Sequence, residues 1–190
     1  IAVTSVGQGV QSETEANLQG LGADILRIRA GAANSGNVSQ GRGSATTLTW
    51  DDALAIESQV SVVDEVAAYL EQTAQVVYGQ NNTSTTILGT DTHYLTVSNI
   101  TRNSGRYFTK EELSESQAVA ILGSTVKTDL FGSSDPIGSN IRIQGERYAV
   151  LGFANEKGAQ GRENPDEQIY IPLTNMSARI VGNNALSGIA

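Results

Sequence analysis

The chain has 190 residues, 39% of them apolar and 17% charged, with a formal net charge of −8. That length can bury a core in one or two domains. The acidic balance excludes broad electrostatic binding to nucleic acid or anionic lipid, since both need clustered Lys and Arg. Zero cysteines exclude a disulfide, a thiolate nucleophile and a Cys-based zinc site, and a lone histidine, His93, excludes a multi-His metal centre.

No apolar run reaches the ~20 residues needed to span a bilayer. The chain opens Ile1-Ala2-Val3 without Met, which reads as a fragment or a processed form, cut outside a transmembrane helix or a signal peptide. Over residues 10–21, Val10, Thr14, Leu18 and Leu21 recur at helical spacing opposite Gln11, Glu13, Glu15 and Gln19. Gly22 stands at the C-cap position. The pattern predicts a weakly amphipathic stalk helix.

Leu26, Ile28 and Ala30 alternate with Arg27 and Arg29, which predicts a half-exposed strand. Residues 31–47 are rich in Gly, Ser, Asn and Ala and predict a mobile loop. Thr49 then opens a helix as its cap, with Asp51 and Asp52 in the first turn and Ala53, Ile56 and Val60 at core spacing. Residues 62–78 and 85–88 read as a hairpin broken by Gly79-Gln80-Asn81-Asn82-Thr83, and Gly89-Thr90-Asp91 ends the unit.

The second half opens on Gly105-Arg106-Tyr107-Phe108-Thr109. Thr109 and Glu112 form a T-x-x-E capping box. Ala118-Val119-Ala120-Ile121-Leu122 predicts a buried strand. Val126 and Leu130 predict a helix that Gly132 stops. Ile141 and Ile143 alternate into a hairpin whose tight turn is read at Gly145-Glu146, leading to Tyr148-Ala149-Val150-Leu151. A polar loop spans 157–165 and Ile169-Tyr170-Ile171 is a strand. Thr174 is expected to cap a last helix carrying Met176 and Ile180 and stopped by Gly182. Leu186 and Ile189 hint at one more strand, whose partner is expected in the first half.

None of this carries catalytic chemistry. Asp51 and Asp52 are helix neighbours about 100° apart, so they cannot face one substrate. Gly7-Gln8-Gly9 has Ser12 where a dinucleotide fingerprint needs its third glycine. Gly123-Ser124-Thr125-Val126-Lys127-Thr128 has Val126 where a phosphate loop needs glycine. A hydrolase would have to use His93, beyond a strand end. Arg106 reads as a salt bridge at a domain joint, with Tyr107 and Phe108 as core. Trp50 reads as helix packing.

The ordered motifs carry a resemblance: Gly7-Gln8-Gly9, Leu21-Gly22-Ala23, Leu48-Thr49 with Asp52, Gly89-Thr90 with Tyr94, and Gly105-Arg106-Tyr107-Phe108-Thr109 with Glu112. After them come Leu122-Gly123-Ser124, Leu130-Phe131-Gly132, Pro136-Ile137-Gly138 and Ile169-Tyr170-Ile171-Pro172-Leu173. In order and spacing the chain resembles the extracytoplasmic core domain of MacB-type ABC transporter permeases, relatives of the lipoprotein-release and FtsX-like permeases. The resemblance implies an α+β fold of two lobes: a βαβ-type porter-like lobe interrupted by a small mixed α/β sabre-like lobe. The stalk would be residues 1–22 after a transmembrane segment, the porter 23–103 with 185–190, and the inserted sabre 104–184.

The same resemblance implies a function: coupling of cytoplasmic ATP-driven motion to export or release of a substrate outside the inner membrane. It implies no cofactor and no catalytic residue on this chain. The implied partners are an ABC ATPase subunit or domain, a second copy in the intact transporter, and, in Gram-negative tripartite pumps, a periplasmic adaptor (membrane fusion protein) and outer-membrane channel. The structural or joint candidates are Gly105, Arg106, Tyr107, Phe108, Thr49, Asp52, Gly132 and Gly182. The competing readings are a free-standing extracellular binding or adhesion module and, less favoured, a His93-dependent hydrolase.

Overall fold

The computed structural model describes residues 25–35, 38–42, 48–60, 63–159, 163–182 and 185–190. The expected stalk helix and Gly7-Gln8-Gly9 lie outside these. The core of the molecule is a nine-stranded sheet in the order β1-β11-β4-β5-β10-β7-β9-β6. Its strands are β1 (Ile28–Arg29), β4 (Ala68–Tyr78), β5 (Asn81–Thr90), β6 (Arg102–Gly105), β7 (Val119–Leu122), β8 (Asn140–Ile143), β9 (Glu146–Ala154), β10 (Gln168–Pro172) and β11 (Gly188–Ile189). β8 pairs with both β4 and β9, so the pairing closes a circuit through β4, β5, β10, β7, β9 and β8.

The sequence explains which strands sit innermost. β7 reads Val-Ala-Ile-Leu and β10 reads Gln-Ile-Tyr-Ile-Pro, and every residue of both is buried. Apolar runs without alternation suit strands covered on both faces. β8 alternates exposed and buried, placing Ile141 and Ile143 inward. β10 runs parallel to β5, with Ile169 opposite Ile87 and Ile171 opposite Gly89, and antiparallel to β7. Strands from 23–103 and 185–190 stand at one end of the sheet, and those from 104–184 at the other. The two halves meet at two pairings, β5–β10 and β4–β8, and the 103/104 boundary falls inside β6, which pairs with β9.

Among the described residues five short α-helices dress the sheet: α1 (Trp50–Gln59), α2 (Tyr94–Val97), α3 (Lys110–Ser114), α4 (Ser124–Phe131) and α5 (Leu173–Met176). One face buries Leu70, Val76 and Ile87 with Leu122, Leu130, Ile141 and Ile171. The other buries Tyr69, Leu88 and Tyr94 with Phe108, Ile121 and Tyr170. Both cores therefore draw on both halves of the chain. Removing a side chain such as Ile171, fully buried, would cost about 2–5 kcal/mol by leaving a cavity.

Several expectations need correction. Residues 31–47 are not simply a loop: β2 (Ala32–Ser35) and β3 (Val38–Arg42) form a separate antiparallel ribbon. The first hairpin is longer than expected, and its turn is the two residues Gly79-Gln80, since Tyr78 pairs with Asn81. Gly79 takes the positive φ of 59° that such a turn requires at its first position. The second hairpin turns at Gln144-Gly145, not Gly145-Glu146, because Ile143 pairs with Glu146 and both loop residues have positive φ. α1 ends at Gln59, so Val60 is a 37% exposed cap and not a core position. Thr174 caps nothing: the helix starts at Leu173 after Pro172, and the Thr174 hydroxyl donates to the Leu113 carbonyl. The final strand does find first-half partners, β4 on one side and β1 on the other.

Candidate functional site

The stretch from Gly105 to Glu112 enters the second half through close backbone packing. Gly105 has φ 83°, and a Cβ there would lie 2.1 Å from the Leu151 carbonyl oxygen. Glycine is thus required twice, by conformation and by space. Arg106 N–H donates to that same carbonyl at 3.1 Å. The Tyr107 hydroxyl donates to Ile100 O at 2.7 Å, under the Arg102 guanidinium 5.8 Å from its ring centroid. Phe108 is buried in the core it shares with Tyr94 and Tyr170.

Thr109 and Glu112 form the expected reciprocal capping box on α3. Arg106 adds a bidentate pair, its two terminal nitrogens donating to Glu112 at 2.8 and 2.7 Å. That pair ties the strand exit to the helix six residues on. The Arg106 hydrogen bonds hold the Glu112 carboxyl below its ordinary value, burial opposing, and the same contact raises Arg106. Arg106 is half exposed, so the pair orders local geometry more than it stabilises the fold.

The same box recurs on α1. The Thr49 hydroxyl accepts from Asp52 N–H, and the Asp52 carboxylate accepts from Thr49 N–H at 2.7 Å, which lowers the Asp52 carboxyl. Asp52 thus closes the box, beyond the helix-dipole role read for it. Trp50 is 39% exposed and lines, with Leu70, Leu113, Leu173 and Leu186, an apolar groove of about 400 Å³ between α1, α3 and α5. Gly132 ends α4 at φ 58°, and Gly182 ends the π-turn Ser177–Val181 at φ 73°. Both glycines look into open space. The eight named candidates therefore fall in four places: Gly105, Arg106, Tyr107 and Phe108 cluster with Thr109 and Glu112, Thr49 and Asp52 form the α1 box, and Gly132 and Gly182 each stand apart.

Sequence reasoning missed two buried carboxylates. Asp91 accepts from Ala68 N–H at 2.8 Å and from His93 and Tyr94 N–H at 2.9 Å each, joining the start of β4 to the start of α2. Burial raises its carboxyl, with those hydrogen bonds opposing. The Asp-Thr-His-Tyr run just before a short apolar helix was the available signal. Asp166 accepts from Lys157 N–H at 2.9 Å and Gly158 N–H at 2.7 Å. Nothing in the local sequence marks that contact across the 157–165 loop.

His93 lies half exposed at 3.6 Å from Glu65, and Asp91 is occupied by backbone donors, so the structure assembles no Ser-His-Asp arrangement there. Among the described residues no group of His, Asp and Glu is spaced for a metal ion. No helix among them is long and apolar enough to cross a membrane.

A mixed sheet dressed by short helices, two of them started by capping boxes, with close backbone packing at Gly105, defines an α+β domain. The MacB-like periplasmic core domain model matches residues 1–190, and the chain belongs to that family. It is 36% identical over its full length to the macrolide export ATP-binding/permease protein MacB of Chlorobaculum tepidum and 34% identical to that of Chlorobium phaeobacteroides. The chain spans 29% of the length of each of these relatives. Among solved structures, the periplasmic region of MacB from Actinobacillus actinomycetemcomitans matches with a TM-score of 0.74 at 20% identity, covering 91% of this chain and 76% of that one. The extracellular domain of the ABC-type transporter YknZ from Gram-positive bacteria matches with a TM-score of 0.65 at 20% identity, covering 77% and 73%. The α+β fold is that of these domains.

Proposed function

We propose that this chain is the outer-side domain of a MacB-like ABC transporter permease in a bacterial inner membrane, coupling ATP-driven motion in the cytoplasm to export or release of a substrate. The observation that carries the reading is the shared construction of its two halves. One sheet runs through both, and each core contains residues of both. A body built this way moves as a unit when pushed from one end, which is what transmission requires. On this reading the porter-like residues 23–103 with 185–190 and the sabre-like residues 104–184 travel together, and residues 1–22 form the lever.

The domain itself performs no catalysis. ATP hydrolysis belongs to another region of the transporter, in keeping with the ATP-binding/permease names of relatives that extend well beyond this domain. Partners on this reading are that ATPase, a second copy of the permease, and an adaptor with an outer-membrane channel where the envelope has two membranes. A macrolide-type substrate is proposed from the relatives' names.

The test is made in the full-length protein. Deleting residues 25–190 is expected to leave ATP hydrolysis measurable while abolishing macrolide export by cells lacking other exporters. Export that survives the deletion would overturn the reading. A reading frame with neither an ATP-binding region nor transmembrane helices would favour the free-standing binding module instead.

A further inference from the structure

The loop on either side of residue 161 grips the molecule at two places. At one end, Glu163 accepts ion pairs from both Arg27 and Arg29. Those arginines are two residues apart on an extended segment, so they reach one side together. They flank Ile28 in β1, an edge strand held to β11 by a two-residue ladder. At the other end, the Lys157 ammonium donates at 2.5 Å to the Ser98 carbonyl, at the end of α2. Ser98 is buried, and α2 is the segment by which the chain leaves β5 for the second half.

The two grips are joined by a short polar chain. Asn164 accepts from Asp166 N–H at 3.3 Å, and the buried Asp166 carboxylate takes Lys157 N–H and Gly158 N–H. Gly123 backs this up: a Cβ there would lie 2.4 Å from Asp166 O, so β7 and α4 are seated against the same backbone. The far end of α2 is fixed independently by Asp91.

We infer that Lys157, Glu163 and Asp166 are positioning residues, forming a clamp that couples displacement of the entry strand at Arg27 and Arg29 to the crossing segment at Ser98. The inference rests on the transport reading above and adds the route by which a push at the N-terminal side would reach the joint between the halves. Burial lowers the Lys157 amine, with Asp166 opposing.

Hydrogen exchange of the full-length transporter tests it, with and without ATP. Lys157→Met is expected to speed exchange of amides 94–101 about tenfold, the loss of one charge-assisted hydrogen bond. Glu163→Gln is expected to speed exchange both at 25–31 and at 94–101, and the double variant to fall short of the product of the two single effects at 94–101. Arg27→Gln with Arg29→Gln, on the exposed edge, should repeat the Glu163→Gln pattern if that variant folds poorly. A Glu163→Gln effect confined to 25–31, with independent effects in the double variant, overturns the clamp. If ATP alters exchange at 25–31 and 94–101 equally in wild type and Glu163→Gln, the clamp fails while the transport reading stands. If ATP alters exchange nowhere in the domain, the transport reading fails and takes the clamp with it.

Discussion

Two helices in this domain start with the same chemical device and are set in opposite surroundings. α1 begins with Thr49 and Asp52, α3 with Thr109 and Glu112, and both boxes are complete. α1 lies at the rim, with Leu54 46% exposed and Trp50 39% exposed beside it. α3 follows a strand exit fixed by Gly105, Tyr107 and Phe108, and its box carries the added Arg106 pair. The difference teaches that a capping motif marks where a helix starts, and that the residues before it decide how much the start matters. At α3 the preceding four residues lock the chain; at α1 the described residue before the cap, Leu48, is tied through its carbonyl to Leu186 N–H at 2.8 Å.

The comparison breaks most easily at Gly105. Alanine there must accommodate both φ 83° and a carbonyl oxygen 2.1 Å from its Cβ. The expected cost is roughly 3–5 kcal/mol, from overpacking against backbone plus left-handed strain. Gly132→Ala is the control, since its Cβ meets open space at a similar φ of 58°, and should cost about 1–3 kcal/mol from backbone conformation alone. Denaturant midpoints of the two variants check this; equal losses would mean that conformation alone, not close approach, explains Gly105. Phe108→Ala should follow at about 3 kcal/mol, the low end for a buried aromatic.

The Arg106–Glu112 pair gives a smaller and pH-dependent effect. Glu112's carboxyl is lowered in the fold, by the Arg106 hydrogen bonds first and by Thr109 N–H after burial's opposing share. The unfolded chain then binds this proton more readily than the folded one. The stabilisation is therefore complete above the ordinary carboxyl value of 4.5 and is lost as pH falls through the lower folded value. Glu112→Gln should cost less than about 1 kcal/mol at neutral pH, as the partner is half exposed. It should also flatten the acid limb of the stability profile; an unchanged acid limb would show that the pair is silent.

What the sequence made legible follows the same division between local and distant causes. The Thr109–Glu112 box and the Thr49 cap could be read because they act within one turn, whereas Asp52 was legible as a first-turn charge and not as the box's return bond. The buried strands β7 and β10 could be read from their unbroken apolar runs. The ribbon at Ala32–Ser35 and Val38–Arg42 could not, because a two-stranded ribbon satisfies its backbone without an apolar face, leaving no alternation to detect. The Gln144-Gly145 turn was misplaced by one residue because glutamine gives no hint of its φ of 50°. The parallel β5–β10 seam, the Asp91 bridge to Ala68 and the Lys157 reach to Ser98 span 23 residues or more of chain. No local pattern announces such contacts. The cluster around Gly105 was visible as a motif, yet its reason, the Leu151 carbonyl pressed against it, lies 46 residues downstream (151 minus 105).

The smallest expected effect sharpens the comparison from the other side. Thr49→Ala removes the hydroxyl that accepts Asp52 N–H and leaves the Asp52 carboxylate to satisfy Thr49 N–H by itself. Loss of such a cap costs about 0.5–1 kcal/mol where the helix end is exposed. α1 contributes Ala53 as its buried anchor, so fraying should stay within its first turn and leave the sheet intact. Thr109→Ala removes the same hydroxyl from α3, but Glu112 there keeps two hydrogen bonds from Arg106. If surroundings rather than motif govern the outcome, Thr49→Ala should accelerate exchange of the α1 amides more than Thr109→Ala does those of α3. Equal acceleration would mean that the box alone holds both helices and that the Arg106 pair adds nothing to the start of α3.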